Sequence, residues 1–204
     1  KDDIVRIIGE MVRGRRQIMV GDIKTHAGFP LLDAADFPGH TRAFLKIQDG
    51  CNARCSYCIV PHVRGPARSL PENEVLRRIG ILAEKGYREI VLTGIHIGTY
   101  GQDLSPRSNI AAMIEKIIRQ RSIERLRLSS IEPQEVTDDL ISLIKENRTI
   151  CRHLHIPLQS GDDRILSDMN RGYDTGFFMR LADRLVQAIP ELAVGIDIMA
   201  GFPG

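Results

Sequence analysis

Hydrophobic and polar positions alternate with two different periods from residue 41 to the end of the chain. Five short apolar runs predict β-strands at residues 43–47, 89–93, 125–129, 153–157 and 193–199. Between them, apolar residues recur every three or four positions, as in amphipathic helices packed on a core. Because strands and helices alternate in this way, we predict an α/β fold with right-handed crossovers and parallel strands.

The helices are predicted from capping residues and from their apolar faces. Ser69 followed by Glu72 forms a capping-box pattern at the start of the first helix, and Gly86 can end it. Ser105-Pro106 is expected to open the second helix, and Thr137 to precede the third. The last helix carries an apolar face formed by Phe177, Phe178, Leu181, Leu185 and Ile189.

Residues 1–40 differ in pattern from the rest of the chain. Apolar positions within 4–12 predict a short helix, residues 17–24 a strand, and residues 28–39, with their prolines, a linker. We therefore expect a boundary near residue 40. Residues 1–40 would be the tail of an N-terminal domain plus its linker, and residues 41–204 the main domain. The first residue is Lys1, so we expect the chain to be a piece of a longer protein.

Composition and charge exclude several protein classes. The chain has 204 residues, of which 43% are hydrophobic and 26% charged, and a formal net charge of +2, which is typical of globular and not of disordered proteins. No apolar run approaches the ~18 residues of a membrane span, so we expect no membrane partner. Closely spaced cysteines without a secretory signal favour a reducing compartment, and we expect the cytoplasm.

The cysteines provide the strongest chemical signal. Cys51, Cys55 and Cys58 form a C-x3-C-x2-C motif directly after the first predicted strand, at the carboxyl end where parallel sheets bind ligands. Three thiolates can hold an iron–sulfur cube and leave one iron for an outside ligand. Alternatively, His62 would complete a tetrahedral Cys3His zinc site. Cys151 stands alone in an apolar context and is expected to be a core residue.

Sequence motifs around and beyond these cysteines resemble a known family. Residues 45–51 (LKIQDGC), 57–61 (YCIVP) and 64–69 (RGPARS) resemble the radical S-adenosylmethionine enzymes, in particular the tRNA methylthiotransferases. The resemblance continues at residues 92–98, 129–133, 155–161, 169–171 and 197–204, and so covers nearly all of the chain from residue 41. The Gly-Ile-His sequence at 94–96 looks most like the branch that acts on N6-threonylcarbamoyladenosine (t6A) beside the tRNA anticodon.

This resemblance implies a fold and a chemistry. The fold would be a radical S-adenosylmethionine partial (βα)6 barrel with parallel strands, of which this chain holds five of six. A 4Fe-4S cluster would bind S-adenosyl-L-methionine, and an electron from a low-potential donor would release a 5′-deoxyadenosyl radical. The radical would remove a hydrogen atom from the adenine of a tRNA substrate, which then receives a 2-methylthio group. By the same resemblance, the sulfur would be handled at a second 4Fe-4S cluster in an N-terminal domain, and no cysteine precedes Cys51 in this chain.

Particular residues match the family's motifs. Cys51, Cys55 and Cys58 match the cluster ligands, and no other catalytic residue is assigned. Positions expected to bind the cofactor or face the substrate are Tyr57, Thr93, Gly94, Ser130, Glu132, Gln159 and Arg171. Structural roles are the alternative for two of them, because Glu132 could cap a turn and Arg171 could end a helix.

Other polar residues are expected to have more ordinary roles. The histidines are predicted to be satisfied core or rim residues: His62, His96, His153 and His155. Segment 51–68 contains no acidic residue, and its arginines, Arg54, Arg64 and Arg68, suit a phosphate-bearing substrate. Two alternatives to a tRNA methylthiotransferase remain open. One is the relative that modifies an aspartate of a ribosomal protein, and the other is a non-catalytic zinc-binding nucleic-acid module.

Overall fold

The computed structural model describes residues 4–11, 29 and 39–204. A helix near the N-terminus is confirmed as α1 (Ile4–Met11), whereas the predicted strand at 17–24 and most of the predicted linker at 28–39 lie outside the described residues. The remaining elements are, in chain order, β1 (Arg42–Lys46), β2 (Gln48–Asp49), α2 (Val60–Arg64), β3 (Arg68–Ser69), α3 (Glu72–Glu84), β4 (Glu89–Thr93), α4 (Ile110–Gln120), β5 (Arg125–Leu128), α5 (Asp138–Glu146), β6 (His153–His155), α6 (Asp163–Asp168), α7 (Thr175–Ala188) and β7 (Ala193–Gly195).

Parallel strands form the inner wall of the fold. Strand β4 pairs in parallel with β1 and with β5, so that Leu92 lies opposite Leu45 on one side and Leu128 on the other. Strands β6 and β7 form a second parallel pair, and a parallel bridge between Ser130 and His155 joins the two groups. The wall therefore follows chain order, β1-β4-β5-β6-β7. The prediction of an α/β fold with five parallel strands is confirmed.

Helices cover the outer face of this wall. Their buried residues recur at the spacing predicted from the sequence, and they pack against strand residues such as Ala43, Ile90 and Leu126 in one continuous core. The buried residues of the helices include Val75, Ile79 and Leu82 of α3, Ile110, Ile114 and Ile117 of α4, Leu140, Ile141 and Ile144 of α5, and Phe178, Leu181 and Leu185 of α7. Cys151 is buried, as expected for a core residue.

Two predicted helix starts are wrong. Ser69 does not cap α3 but lies in β3, antiparallel to β2, and its hydroxyl donates a hydrogen bond to Asp103 Oδ1 at 2.6 Å. Helix α3 begins three residues later, after Pro71. The second predicted helix begins not at Ser105-Pro106 but at Ile110, where the Asn109 side chain accepts the backbone N–H of Ala112. No side chain caps α3, because Ser69 is engaged with Asp103, whereas the second helix is capped by Asn109 in place of the predicted Ser105.

Other predicted boundaries are closer to the structure. The Thr137 side chain accepts the backbone N–H of Leu140 at the start of α5, as predicted. The last strand is shorter than predicted, because β7 ends at Gly195 and only a parallel bridge between Gln159 and Ile198 continues the pairing. Among the helices within the described parts of the chain, none combines the length and the hydropathy that a membrane span requires.

Candidate functional site

The cysteine loop leaves β2 through a glycine that no other residue could replace without a shift. Gly50 has φ +73°, and a Cβ on it would lie 2.0 Å from the carbonyl oxygen of Pro66. The next residue, Cys51, donates its backbone N–H to the carbonyl oxygen of Gly65 at 3.1 Å. Buried Asp49 accepts the N–H of Gly50 at 3.0 Å. The start of the loop is therefore fixed by backbone packing directly before the first thiol.

Three thiols of this loop share one cavity. Cys51, Cys55 and Cys58 are free, partly exposed, and line a cavity of about 670 Å³. Among the described residues, no three His, Cys, Asp or Glu side chains converge on a position for a single metal ion. His62 also lines this cavity, but the arrangement gives no support to the Cys3His zinc alternative. Three soft thiolates around one cavity suit a larger iron–sulfur group.

The middle of the cysteine loop is held by residues at the end of α6, more than 100 positions later in the sequence. Ser56 donates its backbone N–H to the carbonyl oxygen of Met169 at 3.0 Å and its hydroxyl to that of Asp168 at 2.8 Å. The side-chain amide of Asn170 donates to the carbonyl oxygen of Arg54 at 2.7 Å. Because these partners lie at the end of α6 and directly after it, the end of that helix fixes the middle of the cysteine loop.

Arg171 and Glu132 form a partly buried ion pair beside the cysteines. The Arg171 side chain is 5% exposed, its guanidinium contacts the Glu132 carboxylate, and its Nη1 lies 3.3 Å from Cys55 Sγ. Burial raises the pKa of Glu132, and the adjacent Arg171 guanidinium works against that rise. Tyr173 also contacts the guanidinium through its hydroxyl, 3.1 Å from Nη2. Two residues expected to bind the cofactor are thus adjacent to one of the thiols.

His96 and Glu135 complete this side of the site. With Cys55, Glu132 and Arg171 they line a second cavity of about 250 Å³. His96 Nδ1 lies 3.3 Å from Cys51 Sγ, and His96 Nε2 lies 2.7 Å from Glu135 Oε1. Burial lowers the pKa of His96, but the contacts with Cys51 and Glu135 outweigh burial and raise it to about 10.

The other residues expected at the site lie at strand ends or on the cysteine loop. Burial raises the pKa of Tyr57 to about 12, and its hydroxyl is 3.5 Å from Arg171 Nη1. Thr93 is the last residue of β4, and its backbone carbonyl oxygen accepts the N–H of Ile47 at 2.9 Å. Gly94 lies against the Gln48 side chain. Two further positions after strand ends form parallel bridges, Ser130 with His155 of β6 and Gln159 with Ile198 beyond β7. Cofactor binding by these residues stays a prediction.

Sequence reasoning missed two members of the site and misplaced a third. His96 was expected to be a core or rim residue, and Glu135 was not singled out. Gly98 was the available signal, because a Cβ there would lie 1.9 Å from Glu135 Oε2. Arg68 was expected to face a phosphate, but it is buried, with Nη2 3.8 Å from Asp49 Oδ2 and 2.9 Å from the carbonyl oxygen of Arg64. Its charge neutralises buried Asp49 and is therefore not presented to a substrate.

Parallel strands with helices outside and three thiols after the first strand define the class of protein. Residues 45–204 match the model of the Radical SAM superfamily, and the chain belongs to that superfamily. It is 43% identical over 173 residues to the threonylcarbamoyladenosine tRNA methylthiotransferase MtaB of Bacillus subtilis, covering 85% of this chain and 38% of the relative. MtaB of Chlamydia pneumoniae is 40% identical over 176 residues, which is 86% of this chain and 41% of that one.

A relative from another branch is nearly as similar. The tRNA-2-methylthio-N(6)-dimethylallyladenosine synthase of Clostridium tetani is 40% identical over 169 residues, covering 83% of this chain and 37% of the relative. The chain thus spans about two-fifths of the length of these curated relatives. All three are named as tRNA-modifying enzymes, and they lend no support to a ribosomal-protein substrate.

Solved structures confirm the fold. The radical S-adenosylmethionine methyltransferase TsrM from Kitasatospora setae, solved with cobalamin and a 4Fe-4S cluster, superposes with a TM-score of 0.62 at 18% identity, covering 79% of this chain and 31% of TsrM. The cobalamin-dependent S-adenosylmethionine radical enzyme OxsB, solved with aqua-cobalamin and S-adenosylmethionine, gives a TM-score of 0.59 at 16% identity, covering 76% of this chain and 23% of OxsB. At such identities the likeness concerns architecture alone.

Proposed function

We propose that this chain is the radical S-adenosylmethionine core of a tRNA methylthiotransferase that installs a 2-methylthio group on t6A next to the anticodon. The observation that carries the proposal is the common cavity of three free thiols beside the partly buried Arg171–Glu132 pair. The relatives named above support the tRNA substrate, and the slightly higher identity to the MtaB protein of Bacillus subtilis favours the t6A branch.

The cysteines would hold a 4Fe-4S cluster through their thiolates. Such a cluster, together with S-adenosyl-L-methionine, supplies radical chemistry that removes hydrogen from unactivated carbon. The protein's own contribution is to fix the three sulfurs: Gly50 fixes the start of the loop, and the contacts of Ser56 and Asn170 fix its middle. Rigid placement matters because a reactive centre must meet its substrate in one orientation.

Arg171 and Glu132 would bind the polar end of S-adenosyl-L-methionine. The planar guanidinium has five N–H donors and suits a carboxylate, while Glu132 can accept from a charged amine. Their mutual contact keeps both side chains in place and leaves donors and acceptors toward the cavity that they line. Tyr57 stays protonated at neutral pH, so it would pack against the cofactor and not transfer a proton.

The remaining assignments concern the whole protein. We propose that residues 41–204 form the catalytic core and that residues 1–40 connect it to an N-terminal domain that carries the second 4Fe-4S cluster. Arg54 lines the cysteine cavity and Arg64 is partly exposed beside it, so these two arginines are the candidates for contact with tRNA phosphates. A low-potential electron donor and a cytoplasmic location complete the proposal.

Anaerobic reconstitution with iron and sulfide tests the cluster, and tRNA assays test the substrate. The protein should become brown, with absorption near ~400 nm from thiolate-to-iron charge transfer, and should release 5′-deoxyadenosine from S-adenosyl-L-methionine. The intact protein should then methylthiolate t6A in hypomodified tRNA. Cys55→Ala should lose the colour, and Cys151→Ala serves as the matched control. Colourless protein, or product formed on dimethylallyladenosine but not on t6A, would contradict the proposal.

A further inference from the structure

His96 lies between a cysteine of the loop and a partly buried carboxylate. Its Nδ1 is 3.3 Å from Cys51 Sγ, and its Nε2 is 2.7 Å from Glu135 Oε1. The side chains of His96 and Glu135 are only 15% and 17% exposed, so water screens these contacts little. One imidazole ring therefore connects the first thiol to an acid that lies far along the sequence from it.

The backbone of His96 is fixed on both sides. Its N–H donates to the side-chain oxygen of Gln48 at 2.7 Å, and the Gln48 amide nitrogen donates to the carbonyl oxygen of Gly50 at 2.8 Å. The carbonyl oxygen of His96 accepts the hydroxyl of Thr99 at 2.7 Å. Because Gln48 is completely buried, it ties the histidine directly to the start of the cysteine loop.

Glu135 reaches the ring only because a side chain is missing opposite it. A Cβ on Gly98 would lie 1.9 Å from Glu135 Oε2 and 2.6 Å from Glu135 Cβ. Glu135 itself is held in a single helical turn, where its N–H donates to the carbonyl oxygen of Glu132 at 3.0 Å. The absence of a side chain at Gly98 thus makes room for the carboxylate beside the ring of His96.

The direction of the contact with Cys51 follows from hydrogen-bonding rules. A cysteine bound to iron is a thiolate, so its sulfur has no proton to donate and can only accept. Glu135 is likewise an acceptor when ionised. Nδ1 of His96 is the ring nitrogen beside the sulfur, so it is the donor in this contact, while Nε2 lies beside the Glu135 carboxylate.

We propose that His96 is a positioning residue for the iron–sulfur cluster: oriented by Glu135, it donates a hydrogen bond to the Cys51 thiolate and favours the reduced state of the cluster. This inference rests on the proposed function, since it requires a cluster on Cys51. Reduction adds negative charge that is shared with the ligand sulfurs, and an N–H donor stabilises that charge. The ring thereby makes the cluster easier to reduce.

The test is a redox titration of the reconstituted intact protein, followed by the EPR signal that changes when S-adenosyl-L-methionine is added. His96→Leu removes the donor, and His96→Asn keeps an N–H near the position of Nδ1. Glu135→Gln weakens the orienting contact without touching Cys51, and His40→Leu, at an exposed histidine, is the matched control. Iron and sulfide per chain are measured for every variant.

At the midpoint potential of the parent, the ratio of reduced to oxidised cluster should fall roughly three- to tenfold in His96→Leu, as expected for loss of one hydrogen bond. The fall should be smaller in His96→Asn and Glu135→Gln and absent in His40→Leu. An unchanged potential in an iron-loaded His96→Leu protein would overturn the inference. If His96→Leu fails to load iron, Glu135→Gln decides: a lower potential supports the inference, and an unchanged potential overturns it.

Failure of the proposed function gives a different result. If the parent protein binds no cluster, or binds one whose EPR signal ignores S-adenosyl-L-methionine, the proposed function is wrong and this inference falls with it. If the parent responds normally while the potentials of all loaded variants match it, only the role of His96 is wrong.

Discussion

Replacing Gly50 by alanine should separate the packing of the cysteine loop from its chemistry. The new Cβ would meet two backbone carbonyl oxygens, 2.0 Å away at Pro66 and 2.7 Å away at Gly65. Backbone atoms cannot rotate aside as the end of a side chain can, so the loop must move. Because Cys51 follows Gly50 directly and its backbone N–H is hydrogen-bonded to the Gly65 carbonyl oxygen, we expect the first thiol to be displaced.

The cost has two parts. Gly50 has φ +73°, and a left-handed conformation costs a residue with a Cβ about 1–2 kcal/mol. Overpacking against fixed neighbours adds about 1–3 kcal/mol, so the free energy of unfolding should fall by about 2–5 kcal/mol in total. Gly86→Ala is the matched control, because Gly86 has φ +88° but a Cβ on it would meet no other part of the chain within 4 Å. Gly86→Ala should therefore lose only the cost of the left-handed conformation, about 1–2 kcal/mol.

Urea unfolding of the cluster-free protein in reductant, followed by circular dichroism, measures both variants against the parent. Iron per chain after reconstitution is measured in parallel. We expect Gly50→Ala to be less stable than Gly86→Ala and to bind less iron, while Gly86→Ala binds iron like the parent. If the two variants lose equal stability and load iron equally, the close packing of the loop start does not hold the first thiol, and the reasoning fails.

Three further predictions concern the site. Alanine at any one of the three loop cysteines should abolish iron binding, whereas Cys151→Ala should retain it; iron analysis that shows loss only in the Cys151 variant would reverse the assignment. Tyr57→Phe should keep S-adenosyl-L-methionine cleavage, measured as 5′-deoxyadenosine, since a hydroxyl with a pKa of about 12 does not ionise. Arg171→Leu should cost about 1–3 kcal/mol at pH 8, because it leaves the partly buried Glu132 carboxylate without its partner. The pKa of Glu132 is raised in the folded protein, so protonation relieves that cost as the pH falls, and urea unfolding at pH 5 should show a smaller loss.

The strands and the long helices could be predicted because their apolar periods are local. Helix starts were harder, and Ser69 shows why. Its sequence neighbours fit a capping box, but its hydroxyl bonds Asp103, a residue 34 positions away whose proximity no local pattern reveals. Two short helices were also missed: α2 has 5 residues and α6 has 6, too few for a helical period to show.

In the candidate site, too, the local feature could be predicted and the contacts between distant residues could not. The cysteine motif is compact, so its spacing alone indicated a shared ligand. Glu132 and Arg171 lie 39 positions apart, and only the family resemblance and the rule that ligands gather at strand ends placed them together. The structure adds a fact that neither could supply, namely that the two side chains are partners of each other as well as candidates for a ligand.

Two glycines of the site illustrate which contacts could not be predicted from the sequence. Gly50 and Gly98 are both visible in the sequence, and each marks a point where another part of the chain comes within the space of a Cβ. The sequence does not say which part: for Gly50 it is the backbone at Pro66, and for Gly98 it is the carboxylate of Glu135. The space at Gly98 admits the Glu135 carboxylate, which lies 2.7 Å from His96 Nε2. On its other side, His96 Nδ1 lies 3.3 Å from the sulfur of the first thiol, Cys51. A histidine that looks ordinary in the sequence therefore acquires a role through a side chain that Gly98 lacks.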